Sequence, residues 1–451
     1  MAADAPGSER VAAELRRKLS VNPDDLIARH NLGVELRRLD RSQEALAEME
    51  RAIAGGLRAP ETATMRAHLL ADLGRYDEAV AAYRALLSAH PGMIDAHATV
   101  ARLLPQIGRA SEALDAYRAA LAKAPEIGML WVSALQAAKD LGDSSQLLAW
   151  ADAAERRFGR DAMIAVYIAQ ALTKTDEDAR ARDILVAAVT ADPAYAPART
   201  TLAHVLIRLG DAAGAEAHAL AATKLIPLDQ SAWALLTVIW RLLGDAREHW
   251  LADYERLATI IDIAQPPGLA ATLEALHLTT AHPADQSLRG GTQTRGNLFD
   301  RRIPEVRALA DALQDGVASM LAALPRDPAH PFLGRNTGAI DFAGSWSVRL
   351  ASAGFHISHI HAQGWLSSAF YVNLPLEVAR GDSDAGALAF GVPDAALKLN
   401  LPPRRIVAPK KGRLVLFPSY LWHCTLPFES ASPRLTVAFD ALPVDKIAPA
   451  R

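Results

Sequence analysis

Residues 73–79 read LGRYDEA, and residues 107–113, which lie 34 positions later, read IGRASEA. The same step continues in both directions along the first half of the chain. The glycine of this motif recurs at Gly74, Gly108, Gly142, Gly210 and Gly244, and Asp176 takes its place once. A second marker closes each unit, at Pro91, Pro125, Gly159, Pro193 and Pro227. Self-similarity at a fixed period of this length is the signature of stacked structural repeats.

Each repeat is predicted to contain two amphipathic helices. The glycine ends the first helix and opens the turn into the second. A small alanine in the second helix, at Ala79, Ala113, Ala181 and Ala215, would let the paired helices approach closely. The closing proline cannot continue a helix, so it separates one unit from the next. The first half is therefore predicted to be an all-α solenoid.

From about residue 265 the sequence changes character. A helix is predicted for PEVRALADALQDGVASMLAAL, which begins at Pro304, whereas QSLRGGTQTRGNLF (286–299) has no periodicity and reads as a loop. Short β-rich stretches then follow one another, broken by Gly, Pro, Asp and Asn: SWSVRL, FHISHIH, LSSAFYVNLP, GALAFGV, RRIVAPKKGRLVLFPS and RLTVAFDAL. Six or more such strands in a short span predict a small antiparallel sandwich or jelly-roll barrel.

Three histidines cluster in FHISHIHAQGW (355–365). On a strand, His359 and His361 would point to one side and His356 to the other. A third imidazole is available at His423, after an apolar strand and a proline turn. Two histidines on one strand with a third arriving later is an arrangement typical of non-haem iron sites. The alternative is that these histidines are ordinary side chains satisfied by hydrogen bonds.

Arg434 and Thr436 lie two residues apart on a predicted strand and so share a face. An arginine beside a hydroxyl group can hold a carboxylate with a fork of two hydrogen bonds. This is the group needed to bind the far carboxylate of a 2-oxo diacid, and Tyr371 could add a phenol contact. The alternatives are a salt bridge from Arg434 to Glu429 and a packed aromatic ring at Tyr371.

The 34-residue pattern resembles the tetratricopeptide repeat over residues 23–260, as about six to seven repeats preceded by a helical cap (1–22). The HxH motif, YVNLP, PKKGRLVLFPSYLWH and PRLTVAFD resemble 2-oxoglutarate/Fe(II)-dependent oxygenases that are fused to such repeats. This resemblance implies a double-stranded β-helix (jelly-roll) domain with a helical lead-in over residues 265–445. It also implies metal ligands at His359 and His423, an oxoglutarate clamp at Arg434 and a co-substrate contact at Tyr371.

His361 departs from the wider superfamily, which has an aspartate at this place. We predict that His359, His361 and His423 bind Fe(II), with no catalytic side chain beyond the ligands of metal and co-substrate. The predicted activity is hydroxylation of a peptide or protein side chain that the repeat groove recruits. The alternatives are a small-molecule oxygenase or a three-histidine cupin-type dioxygenase with the repeats as scaffold, and an adaptor whose barrel is catalytically degenerate.

Substrate contacts are predicted near the mouth of the barrel, at Arg289, Gln293, Arg335 and Trp365. The loops that carry the first three are rich in polar side chains and glycine. For each residue, a solvent-exposed position or a salt bridge without any substrate contact is at least an equal alternative. The repeats could also join two copies of the chain into a homo-oligomer.

Composition excludes several other classes of protein. The 451 residues include 48 Lys and Arg against 51 Asp and Glu, so the net charge of −3 gives no basic field for nucleic acid. No apolar run reaches the roughly 18 residues of a membrane span. The first residues lack the apolar core of a signal peptide, and the single Cys424 cannot form an internal disulfide. We therefore expect a cytoplasmic location.

Overall fold

The computed structural model describes residues 5–279 and 287–444. The chain divides into two compact units, the first built mainly from residues up to Leu141 and the second mainly from Gly142 onward. Among the described residues, no helix combines the length and apolar character needed to cross a membrane.

Helical hairpins make up the first unit as far as Leu141 and the start of the second. The first unit contains α1 (Ala5–Val21), α2 (Leu26–Arg38), α3 (Ser42–Ala54), α4 (Pro60–Asp72), α5 (Tyr76–Ala89), α6 (Ile94–Gln106), α7 (Asp115–Lys123) and α8 (Gly128–Asp140). The second begins with α9 (Ser144–Phe158), α10 (Ala162–Lys174), α11 (Asp178–Ala191), α12 (Ala196–Arg208), α13 (Ala212–Leu225), α14 (Gln230–Leu243), α15 (Arg247–Leu251) and α16 (Tyr254–Leu257). Helices α2, α4, α6, α8, α10, α12 and α14 begin at 26, 60, 94, 128, 162, 196 and 230, so successive starts differ by 34. This spacing confirms the predicted repeat of paired helices.

The turn between paired helices always uses a residue in the left-handed conformation. The φ angles are 56° at Asp40, 75° at Gly74, 78° at Gly108, 72° at Gly142, 63° at Asp176, 81° at Gly210 and 65° at Gly244. Glycine adopts this conformation without steric cost, and aspartate is one of the few other residues that tolerate it. The recurrent motif glycine is therefore a requirement of backbone geometry.

The small side chains predicted at the helix contacts are fully buried. Ala79, Ala113, Ala181 and Ala215 are each 0% exposed. One hairpin is irregular, because its second helix starts as a 3-10 turn at Ala110–Glu112 and α7 is only nine residues long. In the first unit the core also includes the rings of Tyr83 and Tyr117.

The rest of the second unit consists of two antiparallel sheets and three helices. The strands are β1 (Thr259–Asp262), β2 (Leu288–Gln293), β3 (Ile340–His356), β4 (Leu366–Asn373), β5 (Leu388–Phe390), β6 (Arg405–Val407), β7 (Arg413–Pro418), β8 (His423–Thr425) and β9 (Arg434–Pro443). The helices are α17 (Leu269–Glu274), α18 (Pro304–Ala323) and α19 (Leu376–Ala379). The larger sheet has the order β1-β7-β4-β9-β3-β2 and the smaller β6-β5-β8. The predicted antiparallel C-terminal sheet domain and the helix from Pro304 are thus confirmed.

Three strands lie where none was predicted: β1, β2 and the short β8 that begins at His423. Strand β1 follows the last repeat helix and pairs with β7. Strand β2 lies inside the stretch expected to be a loop, and it pairs with β3. A bulge between Arg289 and Gly291 breaks its register, and Gly290 has a φ of 66°. Bulges and edge positions remove the regular alternation of apolar and polar residues, which is why the prediction there was wrong.

Strand β9 separates the two faces of the larger sheet. Leu435, Val437 and Phe439 are each 0% exposed and face one side. On that side α18 lies against the sheet, where the backbone of Gly316 approaches Leu414. Side chains alternate along a strand, so Arg434, Thr436 and Asp440 face the other side.

The later helical hairpins and the sheets share one compact unit. The indole N–H of Trp422 donates to the carbonyl of Ala234 in α14 at 2.9 Å. The hydroxyl of Tyr420 donates to the carbonyl of Leu251 at 2.8 Å. Both aromatic side chains are buried, so these hydrogen bonds lie within a common core.

Candidate metal centre

The backbone brings three histidines together at the junction of the two sheets. His359 and His361 lie in the segment that follows β3, and His423 is the first residue of β8. His359 and His423 form an isolated antiparallel bridge, each N–H donating to the other's carbonyl at 3.1 Å. The N–H of His361 donates to the carbonyl of Ser419 at 3.0 Å. These backbone bonds fix the positions from which the rings project.

The three imidazoles converge. One potential ligand atom from each lies within 4.8 Å of the other two. The Nε2 atoms of His359 and His361 are 3.2 Å apart. Metal–nitrogen bonds of about 2.0–2.1 Å place two ligand nitrogens roughly 3 Å from each other, so this spacing suits one shared metal ion.

Each of the three rings is oriented by an acceptor at its other nitrogen. The Nδ1 atom of His359 lies 2.8 Å from the carbonyl of Ile357, and that of His423 lies 2.9 Å from the carbonyl of Leu421. The Nδ1 atom of His361 lies 2.7 Å from the carboxylate of Asp440. These partners only accept, so Nδ1 carries the proton and Nε2 keeps its lone pair. Metal-binding histidines are commonly oriented in this way, and the donor set fits a metal ion.

Burial favours the neutral form of two of these imidazoles, those of His359 and His423. Burial, with the neighbouring His361, lowers the pKa of His359 to about 3. Burial also holds the pKa of His423 well below its ordinary value, and the other two rings act in the same direction. Neutral imidazole is the form that binds a metal, so little deprotonation is needed before binding.

His356 was predicted to point away from the other histidines, and this prediction was wrong. Its ring centroid is 5.8 Å from that of His359. The hydroxyl of Ser287 lies 2.9 Å from Nδ1 of His356 and 3.1 Å from Nε2 of His359. The prediction assumed one continuous strand, but β3 ends at His356 and the alternation of side chains ends with it.

Arg434 is a buried cation that forms no ion pair with any described residue. It is 2% exposed, and its guanidinium carbon lies 4.8 Å from the ring centroid of Tyr371. Among the described residues, Arg434 Nε has no hydrogen-bond partner, and no salt bridge joins Arg434 to Glu429. Burial lowers the pKa of the guanidinium. An unpaired buried charge is costly, so this arrangement fits an anionic ligand.

Thr436 lies beside these two groups. It is 5% exposed, and the strand register places it directly opposite Tyr371. The structure therefore brings together the three residues predicted to contact the co-substrate. Arg434 is also close enough to His356 to lower the pKa of that imidazole, after the larger effects of burial and His359.

The four residues predicted near the substrate occupy different environments. Arg289 and Gln293 lie on β2, where Gln293 is paired with Val348 and Val348 is paired with Thr436. Arg335 ends a 3-10 turn, and burial lowers its pKa. Trp365 is 1% exposed and donates its indole N–H to the carbonyl of Phe332 at 3.0 Å. In the described part of the chain, no hydrogen bond or ring contact joins Arg335 or Trp365 to the three histidines.

Two side chains that contact His361 were not predicted. Asp440 contacts His361 across 79 positions of sequence. The ring of Trp346 stacks on that of His361, with centroids 5.9 Å apart and an interplanar angle of 23°. Extending the two-residue alternation from Arg434 and Thr436 along β9 would have placed Asp440 on the same face, but not against His361.

Comparisons of sequence match two segments of the chain to families. Residues 344–440 match a family described as "Putative 2OG-Fe(II) oxygenase", and residues 70–139 match the tetratricopeptide repeat. No curated protein matches the chain at a significant level.

Comparison with solved structures finds helical-repeat neighbours at low identity. A tetratricopeptide repeat protein from Parabacteroides merdae is 20% identical, with a TM-score of 0.34 over 51% of this chain and 90% of that one. Yeast Tom70 is 16% identical, with a TM-score of 0.32 over 56% of this chain and 62% of that one. The hetero-tetramer Cut9-Hcn1 of APC/C is 16% identical, with a TM-score of 0.30, over 51% and 46%. The chain thus carries a tetratricopeptide-repeat region and, towards its C-terminus, a domain that matches the 2OG-Fe(II) oxygenase family.

Proposed function

We propose that the chain is a non-haem Fe(II)- and 2-oxoglutarate-dependent oxygenase that hydroxylates a peptide or protein side chain. His359, His361 and His423 would hold the iron. Arg434, Thr436 and Tyr371 would hold the far carboxylate of oxoglutarate. When bound, the metal and the co-substrate would activate molecular oxygen: one oxygen atom would convert a C–H bond into C–OH, and the other would enter succinate as oxoglutarate loses carbon dioxide. We also propose that the two sheets form the jelly-roll typical of such enzymes.

Arg434 is the observation that carries this proposal. A three-histidine metal site alone would suit several chemistries. The buried guanidinium has no ion-pair partner among the described residues, so it favours an anion on the same sheet face as Asp440, which contacts His361 of the metal site. A metal and a carboxylate clamp together are what a 2-oxo diacid requires.

The protein's own groups position the reactants and exclude water. The neutral rings of His359 and His423 are fixed by the carbonyls of Ile357 and Leu421, so they need little reorganisation to bind. Phe417 and Phe390 pack beside His423 and limit the access of water from that side. Such preorganisation is the usual contribution of a protein to cofactor chemistry.

The repeat helices are proposed to deliver the substrate because they reach the site. The backbone N–H of Gln230, at the start of α14, donates to the carbonyl of Ala362 at 3.0 Å. Ala362 directly follows the predicted ligand His361. A peptide bound along the later hairpins would therefore end beside the metal site, which favours a macromolecular substrate over a small one.

The experiment that tests the activity uses the full chain loaded with Fe(II) under air. We expect oxoglutarate to be converted to succinate, at a rate that rises when the peptide substrate is present. Uncoupled conversion without any peptide is also expected at a low rate. Absence of succinate from a protein with stoichiometric iron would contradict the proposal.

A second candidate is a three-histidine dioxygenase that needs no oxoglutarate, which His361 at the usual aspartate position favours. The two functions differ in one measurement. Oxygen consumption should depend on oxoglutarate in the first case and be independent of it in the second. If iron binds but no oxygen is consumed under any condition, the adaptor alternative takes their place.

A further inference from the structure

The carboxylate of Asp440 contacts the ring of His361 with both of its oxygens. Both of its carboxylate oxygens lie 2.7 Å from Nδ1 of His361. A carboxylate accepts hydrogen bonds only, so Nδ1 must carry the proton and Nε2 must keep its lone pair. That lone pair belongs to the atom that lies 3.2 Å from Nε2 of His359.

The carboxylate is itself held in place by a network of buried hydroxyl groups. Ser367 donates to Oδ1 of Asp440 at 2.7 Å, and the hydroxyl of Ser419 lies 2.8 Å from that of Ser367. Ser367 and Ser419 are both 0% exposed. A side chain at Gly364 would meet Ser419, with Cβ atoms 3.0 Å apart, so glycine leaves room for this network. The network fixes Asp440 before any ligand binds.

Asp440 brings a negative charge close to a site whose three predicted ligands are neutral. Three imidazoles contribute no negative charge, whereas a metal site of two histidines and a carboxylate contributes one. In the described residues, the group that can share a metal contains histidines only. Asp440 is the acid in contact with that group, and the pair it forms with His361 is mostly buried, at 16% and 18% side-chain exposure. Its charge is therefore only partly screened by solvent.

We propose that Asp440 is a positioning residue that acts on the metal through His361. It fixes the ring and its tautomer, raises the basicity of Nε2, and supplies through the imidazole the negative charge that a direct carboxylate ligand would supply. This inference rests on the metal site of the proposed function, but it does not depend on the reaction or on oxoglutarate.

Metal affinity of the full chain tests this role. Co(II) is a suitable probe, because its visible absorption reports the ligand field and its affinity can be measured against a chelator. We expect Asp440→Ala to weaken binding about 10- to 100-fold, as for other outer-shell partners. Asp440→Asn should lose less, since the amide oxygen still accepts from Nδ1–H, but its Co(II) band should shift. Asp341→Asn, an exposed aspartate on the same sheet, is the matched control and should bind as wild type does.

A double-mutant cycle separates action through His361 from any other action. In a His361→Ala background, Asp440→Ala should cause no further loss of Co(II) affinity. Equal losses in both backgrounds would overturn the proposal, because Asp440 would then act as a direct ligand or through the fold. Wild-type affinity and an unshifted band in folded Asp440→Asn would overturn it as well. A protein that shows the expected cycle but never forms succinate would refute the proposed activity and leave this role of Asp440 intact.

Discussion

His423 is the predicted ligand that is most deeply placed, at 5% exposure on the first residue of β8. Replacement by alanine removes one of the three converging nitrogens and leaves the carbonyl of Leu421 without its donor. We expect His423→Ala to lower iron affinity by more than the roughly 10- to 100-fold typical of an outer-shell partner. Metal analysis after equilibrium dialysis would measure this. His249→Ala is the control, since that ring is 82% exposed, and equal iron contents in the two variants would exclude His423 as a ligand.

Arg434 should control the co-substrate and leave the metal in place. A charge-assisted hydrogen bond contributes about 1.5–3 kcal/mol, so Arg434→Ala should weaken oxoglutarate binding by roughly ten- to hundredfold or more. Arg434→Lys should restore only part, because a point charge cannot form the planar fork. Anaerobic titration of the Fe(II) protein, followed through the metal-to-ligand charge-transfer band, measures both. Unchanged oxoglutarate affinity in the alanine variant would refute the clamp.

The individual site residues were predictable to the extent that they follow local rules. The alternation of side chains along β9 places Arg434 and Thr436 on one face, as expected. The same rule failed at His356, because β3 ends there and the next residues obey no strand period. Asp440 escaped prediction since its partner is 79 residues away, and register between distant strands is not visible in either strand's own sequence.

The left-handed turns of the helical hairpins allow a clean test of backbone geometry. Gly108 has a φ of 78°, and no described atom lies within 4 Å of a Cβ built there, so Gly108→Ala adds strain without a clash. We expect a loss of about 1–2 kcal/mol in the free energy of unfolding. Gly128, at the start of α8, also has free space around an added Cβ but lies in a helix. Gly128→Ala should instead stabilise by about 0.4–1 kcal/mol.

Urea unfolding of the two glycine variants, followed by circular dichroism, would measure these opposite signs. A stabilising effect at both positions would mean that the turn tolerates a side chain. It would then remove the geometric reason for the recurrent glycine.

The helices were easier to predict than the strands, for a physical reason. Each hairpin repeats a local pattern, so its start could be placed from neighbouring repeats. Strand β1 pairs with β7, more than 150 positions further along, and nothing near Thr259–Asp262 signals that partner. The irregular second helix after Ala110 was also missed, because the repeat pattern continues through it unchanged.

Arg208 is one of the side chains that join the repeats to the sheet region within the second unit. This side chain is 3% exposed, and its guanidinium donates to Asp178 at 2.5 and 3.0 Å and to the carbonyl of Thr173 at 2.9 Å. It also donates to the carbonyl of Ala396, in the sheet region. Removing one partner of a buried ion pair typically costs 3–5 kcal/mol, so Arg208→Ala should destabilise the second unit by about that amount.

Differential scanning calorimetry of the full chain would measure this loss as a lower melting temperature for the second unit. Arg182→Ala is the matched control, because it breaks an exposed pair with Asp183 on α11 and should change stability by less than about 1 kcal/mol. Equal effects of the two substitutions would mean that the Arg208 contacts do not join the repeats to the sheets.

The hydrogen bond between Ala234 and Trp422 can form only late in the synthesis of the chain. The two residues are 188 positions apart, so α14 leaves the ribosome long before the residue that covers it exists. At about 5–20 residues per second, that interval is roughly 10–40 seconds. During this time the part of α14 that Trp422 contacts must stay exposed, or be shielded by another protein. A nascent chain of this design should therefore recruit chaperones until Trp422 has been synthesised.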